Sequence, residues 1–506
     1  MYNPHQSLRK KRLRLDYAVP ITEPGLKLKD FLLLSFLTFG ALLVHGYHPW
    51  VEDSEIYLPG VEKVLQPELF PFNAQFFESH AHLTSFPNLV AASVRLTHLP
   101  LETVLFAWQL TSIFLLLMAC WQLIGMCFPD PRARWAGVAM VASLLTLPVA
   151  GTALYIMDQY INPRNMVAFA VIFAIAKVID RKYFQATIFL VFAAAIHPLM
   201  SVFGLTYCAV LVCVKEFDRR LASFACLLPF GLSFEPPSPA YHQVAVSHTF
   251  HYLLQWHWYE LLGVVAPLPI LWWFSRVGRS RQLRNLDLLC RGLIVYELLY
   301  LPAGVVLSIS ARFESLARFQ PMRCLYLLYL LFVLFAGGLL GEYVLKDRVW
   351  RWAALFVPLC AGMIVAQRTL FPASAHIEWP GRAPTNQWVQ AFEWIRSNTP
   401  TDAVFALDPF HMHIPGEDAN GFRAIAQRSM LADAVKDSGA VTMFPPIAEE
   451  WLTQVQAQSA WKTFQSRNFQ RLHAEYGVTW VVLQQPGVAD LECPYRNGAV
   501  LVCRVP

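Results

Sequence analysis

The chain has 506 residues, of which 56% are hydrophobic and only 15% charged, with a mean hydropathy of +0.40. Soluble domains carry roughly 25% charged residues, so a soluble protein of this length is excluded and a helical membrane bundle with room for one further domain is implied. The net charge of +5 is small, and the basic residues sit in short loops between apolar runs, which argues against nucleic-acid binding.

Residues 1–29 read as a cytoplasmic tail. Arg9-Lys10-Lys11-Arg12 is followed by polar residues and prolines, and no small-residue cleavage site follows the first apolar run, so this is not a signal peptide. A spanning helix needs about 20 mostly apolar residues. Runs at 30–47, 102–126, 136–153, 165–180, 184–196, 199–214, 221–234, 257–275, 290–309, 323–343 and 352–371 predict about eleven transmembrane helices. The pieces at 184–196 and 221–234 are short. His197-Pro198 marks a turn between two neighbours, because proline disfavours helix in the residue before it. The expected fold class is an α-helical polytopic membrane bundle over 30–372, with a small extracytoplasmic α/β domain after it.

Basic residues set the orientation. With the N-terminus inside, the inner segments carry Arg132 and Arg134, Arg181 and Lys182, Lys215, Arg219 and Arg220, Arg276 to Arg284, and Lys346 to Arg351; the outer segments carry few. That bias follows the positive-inside rule and puts the C-terminal part outside. Two outer segments are long, 48–101 and 235–256. The first mixes apolar and polar residues and predicts short helices at the membrane surface. A shorter one spans 310–322.

From 373 charged residues return. QWVQAFEWIRSNTP has helical spacing and stops at Asn398-Thr399-Pro400. AVFAL at 403–407 and VTWVVL at 478–483 read as strands, with helical stretches near 446–459 and 464–475 between them. Two β runs around Asn497-Gly498 predict a hairpin. Eight of the 10 cysteines lie in or beside apolar runs and pack as small hydrophobes. Cys493 and Cys503 flank the hairpin and are either a disulfide, as an oxidising compartment would favour, or two buried thiols.

The sharpest constellation is Glu52, Asp53 and Glu55, directly after the first span. Acidic residues at a helix exit are often merely solvated. Here they precede an amphipathic, aromatic-rich segment (Ile56, Tyr57, Leu58, Val61, Val64, Leu65) that would hold them against lipid head groups. A carboxylate there can accept a proton from a sugar hydroxyl, or hold a divalent cation against a phosphate.

In position and chemistry VEDSEIYLPGVEKVL resembles the first outer loop of the GT-C superfamily of glycosyltransferases, in which an acidic motif follows the first span and a surface helix follows the motif. The C-terminal stretches EWIRSNTPTDAVFALDPF, GFRAIAQRSMLAD and YGVTWVVL look like the outer domains of oligosaccharyltransferase-type and related bacterial membrane proteins. No WWDYG-type acceptor-reading motif is present; Asp408-Pro409-Phe410 stands at that place, which argues against Asn-linked glycan transfer. The whole layout most resembles a bacterial group of GT-C-like membrane proteins. The resemblance implies an inverting glycosyltransferase of the cell envelope, in a bacterial inner membrane, that uses a polyprenyl-phosphate sugar donor. It makes Asp53 the candidate catalytic base, with Glu52 next and Glu55 third. No cofactor is required by it, although Glu52 and Asp53 could hold magnesium or manganese.

A lipid-phosphate donor needs cations at the outer surface. Arg164, in INPRN, opens a span there beside a helix N-terminus. Arg312, Arg318 and Arg323 cluster near a later span, and the guanidinium fork suits phosphate; single outer arginines also snorkel to lipid phosphates. His197 is expected to bond a helix end, with substrate contact as the lesser reading. Glu297 lies inside a span, where a carboxylate is a functional candidate that pairs with Arg291 or a neighbouring helix. The outer histidines, His248 and His251 among them, lack the fixed carboxylate or cysteine partners of a metal site. Asp408, Arg423, Arg428 and Asp433 read as structural ion pairs. Rival readings are a transporter or flippase, which the break at His197-Pro198 fits but the lack of an internal repeat does not, and a non-catalytic scaffold.

Overall fold

The computed structural model describes residues 25–216, 238–309 and 313–506. Helix α1 (Leu28–His45) is followed by three helices in the first long segment, α2 (Ser54–Leu65), α3 (Gln75–Ala81) and α4 (Phe86–Thr97). The bundle continues with α5 (Leu101–Cys127), α6 (Pro131–Ser143), α7 (Pro163–Ile179), α8 (Tyr183–Ile196) and α9 (Pro198–Glu216). After α10 (Pro239–Ser247) come α11 (Trp258–Val265), α12 (Pro267–Ser280), α13 (Arg284–Ile309), the short α14 (Glu314–Ala317), α15 (Leu325–Leu340) and α16 (Val349–Leu370). The C-terminal domain, called the outer domain after the side that its loop charges predict, holds α17 (Gln387–Asn398), β1 (Val404–Leu407), α18 (Phe422–Ala426), β2 (Ser429–Met430), α19 (Lys436–Met443), α20 (Ala448–Ala457), α21 (Ser466–Tyr476), β3 (Trp480–Gln484), β4 (Tyr495–Arg496) and β5 (Val500–Arg504).

Prolines open α6, α7, α9, α10 and α12, at the one helical position where a missing N–H costs nothing. Side-chain caps assist: Asp130 accepts from the Arg132 N–H at 2.8 Å and Asn162 from the Asn165 N–H at 3.1 Å.

Among the described residues 7 helical stretches are long and apolar enough to cross a membrane: Leu28–His45, Leu101–Cys127, Pro198–Lys215, Trp258–Ser280, Arg284–Ile309, Glu314–Leu345 and Val349–Leu370. The chain is therefore a multi-pass membrane protein. The expected count of about eleven is not reproduced. The run at 221–234 lies outside the described residues. The run at 136–153 is helical only to Ser143, and α7 and α8 have 17 and 14 residues. Chain composition explains the difference: Pro148 and Gly151 break the helix after α6, and a Pro148–Tyr155 bridge replaces it. Helix α7 is almost wholly buried and packs on α5, α8 and α9, so it need not match a bilayer. By contrast α1 and α16 leave Phe36, Phe39, Val357 and Val365 exposed, as lipid-facing helices do. Helices α6 and α15 approach closely: a Cβ on Gly137 would stand 2.9 Å from the Leu334 carbonyl oxygen, and one on Gly337 2.7 Å from that of Ala136.

The outer domain carries a 5-stranded sheet in the order β2-β1-β3-β5-β4. Strand β1 runs parallel to β2 and β3, while β5 is antiparallel to β3 and β4. The expected hairpin forms around Asn497, whose N–H donates to the Val500 carbonyl at 3.0 Å. Cys493 and Cys503 are joined as a disulfide.

Helix α2 differs from the surface helix its sequence predicts. Residues Ser54 to Glu62 are all buried, because α4 packs on one side and α18 of the outer domain on another. The domain thus covers the polar face that the sequence pattern assigns to water.

Candidate functional site

Gly46, at φ +78°, ends α1, and the chain turns into the segment that carries the acidic motif. The outer domain grips this turn. The Glu52 N–H donates to the Ala419 carbonyl, and the Gly421 N–H to that of Trp50, both at 2.8 Å. Glu52 itself stands at φ +55°, a left-handed conformation uncommon for a residue with a long side chain, which these bonds maintain. The Asp53 N–H donates to the Tyr160 hydroxyl at 3.2 Å.

Asp53 receives two cations. Arg164 Nη1 donates to its Oδ2 at 2.8 Å and Lys436 Nζ to its Oδ1 at 3.0 Å. Lys436 also bonds Glu52 Oε2. Arg164 turns its other nitrogen to Asp158 Oδ2 at 3.0 Å, and Asn162 donates to the same oxygen at 2.6 Å. Burial would raise the Asp53 carboxyl, but the Lys436 ammonium and the Arg164 guanidinium outweigh it and hold the group well below the usual carboxylate range. Burial works against the Lys436 charge, yet Asp53 and Glu52 keep it ionised well above the usual lysine value.

These groups line a cavity of about 720 Å³, within the range of small-molecule sites. The C-terminal ends of α8 and α16, the N-terminal ends of α7 and α9, and α19 of the outer domain meet around it. Leu83, Val202 and Phe319 line it as well and are about half exposed, at 51%, 48% and 53%, so part of the lining is apolar and open.

Arg323, on the turn Pro321–Cys324, also lines the cavity. Unlike Arg164, it has no acidic partner within ion-pair distance among the described residues, and its Nε has no hydrogen-bond partner. His80 lines the wall between Tyr57 and Phe444. Burial lowers it to about 4, so it is neutral at pH 7. His248 and His251, stacked at 5.7 Å, are lowered by burial too.

No known protein family matches the chain, and no curated protein matches it. Among solved structures it is similar to the oligosaccharyltransferase of Archaeoglobus fulgidus in its apo form, with 12% identity and a TM-score of 0.44 over 90% of this chain and 69% of that one. It is also similar to the oligosaccharyltransferase AglB of the same organism in complex with an inhibitory peptide and a dolichol-phosphate. There the TM-score is 0.41, again with 12% identity and the same shares of the two chains.

The structure brings Glu52, Asp53, Arg164, His197 and Arg323 to one cavity. The Met200 N–H points at His197 Nδ1 from 3.4 Å, the helix-end contact its sequence position predicts. Glu55, Arg318 and Glu297 stand elsewhere than expected, and Arg312 is not described. Glu55 does not face the cavity: it is fully buried against Arg423 and the N–H groups of Arg423 and Ala424. Arg318 does not line the cavity either and stacks on Phe319. Arg312 lies outside the described residues. Glu297 is buried with both oxygens unpartnered among the described residues, while Arg291 lies 3.4 Å from Asp287.

Sequence reasoning missed Lys436, Asp158 and Tyr160. Asp158 stands six residues before Arg164 in a largely apolar stretch, a signal that could have found it. Lys436 is one of only two lysines beyond residue 372, but nothing local ties it to a site 383 residues away.

The residues present do not fit a divalent cation between Glu52 and Asp53. Both Asp53 oxygens already accept from cationic donors, and the Lys436 ammonium stands between the two carboxylates. Among the described residues no group of three or more His, Cys, Asp or Glu could hold a metal ion.

Proposed function

We propose that this chain is a GT-C-like inverting glycosyltransferase that moves a sugar from a polyprenyl-phosphate donor to an acceptor hydroxyl at the outer membrane face. The observation that carries the reading is that Asp53 and Arg323, which has no acidic partner among the described residues, line one cavity with exposed apolar lining. A polyprenyl chain could lie along Leu83, Val202 and Phe319 with its phosphate at Arg323. The acidic motif and the helix after it add the sequence resemblance. The charge bias of the loops supports a cytoplasmic N-terminus and an extracytoplasmic outer domain.

The acceptor oxygen bonds to the sugar C1 as the C1–O bond to phosphate breaks, and polyprenyl phosphate leaves. Asp53, fixed as a carboxylate, orients the acceptor hydroxyl and takes its proton late, as C1–O bond formation acidifies it. Arg323 takes up the charge that grows on the leaving phosphate. Arg164 contributes by holding Asp53 and Asp158 in place rather than by meeting the phosphate.

Purified protein in proteoliposomes, given a panel of polyprenyl-phosphate hexoses, tests this by release of polyprenyl phosphate. We expect release with at least one donor and a loss of about 100-fold or more in Asp53→Asn, as removal of a catalytic base commonly gives. Unchanged release in Asp53→Asn removes that residue from the mechanism. Movement of labelled donor between leaflets with no release would establish the transporter reading instead.

A further inference from the structure

We propose that the Lys436 ammonium is the resident cation of the Glu52–Asp53 pair and takes the place that a divalent metal ion would otherwise occupy there. Paired carboxylates at a phosphate site are a natural cradle for manganese or for magnesium, which takes oxygen ligands at about 2.0–2.1 Å in near-octahedral geometry. In this chain the bridge is made by nitrogen. Lys436 Nζ bonds Glu52 Oε2 and, at 3.0 Å, Asp53 Oδ1, while Arg164 takes Asp53 Oδ2. A metal ion could reach Asp53 only by displacing one of them.

Lys436 is not a surface lysine that happens to lean inward. Its side chain is only 14% exposed. It opens α19, where its own N–H is capped by Asp433 Oδ1, and α19 packs on α2, α3, α10 and α20. The ammonium is therefore delivered by a packed scaffold of the outer domain, and the pair of carboxylates that receives it is gripped by the same domain through Ala419 and Gly421. Burial of an ammonium is costly unless it is paired and hydrogen-bonded, and both conditions are met.

A single positive charge replaces a double one, so less positive charge remains for a leaving phosphate. Arg323, in the same cavity and with no acidic partner among the described residues, supplies the difference. This consequence rests on the glycosyl-transfer reading; the cation assignment does not, and its test reads metal binding rather than sugar transfer.

Manganese binding to the detergent-purified full chain, followed by electron paramagnetic resonance of free Mn²⁺, decides the matter. The wild type is expected to bind no manganese that Asp53→Asn removes. Lys436→Gln, which frees the pair, is expected to gain one bound ion with affinity at least tenfold above any wild-type background, and the double variant Lys436→Gln/Asp53→Asn to lose it. One equivalent bound by the wild type and lost in Asp53→Asn would overturn the proposal, as would a folded Lys436→Gln protein that binds no more than the wild type. If Lys436→Gln does not fold, the wild-type measurement decides alone.

Discussion

Glu55 and Arg423 meet across the seam between α2 and the outer domain, 3.2 Å apart and each at most 1% exposed. Arg423 completes its fork on Asp437 at 2.8 and 2.9 Å, so one guanidinium ties the segment that carries the acidic motif to α19, which carries Lys436. Breaking a buried pair by removing one partner typically costs about 3–5 kcal/mol, because the charge left behind is uncompensated. Arg423→Ala is expected to lower the melting temperature of the detergent-purified protein strongly. A shift no larger than that of an exposed control such as Arg504→Ala would show that this junction does not hold the domain.

The same cluster sets a pH dependence. Three carboxylates, Glu55, Asp433 and Asp437, surround the single Arg423. Burial, with Asp433 and Asp437 adding to it against the pull of Arg423, pushes Glu55 up to about 8. Burial likewise raises Asp437 to about 6. A carboxyl whose value is raised on folding holds a proton that the unfolded chain releases. The stability it contributes is complete below the ordinary carboxylate range and is lost as pH rises toward 8. Thermal unfolding followed from pH 5 to pH 8.5 is expected to show a falling midpoint, and Glu55→Gln to flatten that fall. A wild-type midpoint that is level or rises across this window contradicts the account.

What the sequence made legible divides by range. Helix ends written in local chemistry were readable: Pro163 and Asn162 at the start of α7, His197-Pro198 between α8 and α9, and the turn at Asn497. So was the company of Asp53 with Arg164, since loop charge and hydropathy predict one membrane surface for both. The pairing of charges was not. Asp53 is the N-cap of α2 and Glu55 stands on its first turn, and which of them faces the cavity depends on where α18 docks. The packing of α19 against α2 and α3 turns Lys436 inward. Long-range contacts of this kind leave no periodicity behind them. Arg164 and Arg323 are both phosphate candidates by sequence, Arg164 the stronger, but Asp53 and Asp158 claim Arg164.

That last distinction is testable. Arg323 lines the cavity with no acidic partner among the described residues, whereas Arg318, five residues earlier, does not line it and stacks on Phe319. A hydrogen bond to a charged group contributes about 1.5–3 kcal/mol, or about 10- to 150-fold in a rate or equilibrium constant. On the proposed reaction the leaving phosphate would gain negative charge as the C1–O bond breaks, so the contact would strengthen in the transition state and kcat should fall along with kcat/KM. We expect Arg323→Ala to lose about 10- to 150-fold in kcat/KM for polyprenyl-phosphate sugar and Arg323→Lys to recover part of it, since an ammonium keeps the charge but not the fork. Arg318→Ala is expected to stay within about twofold of the wild type, as a residue with no place at the cavity should. Equal losses in Arg318→Ala and Arg323→Ala would point to the overall positive charge of this segment, and would remove Arg323 as the phosphate ligand.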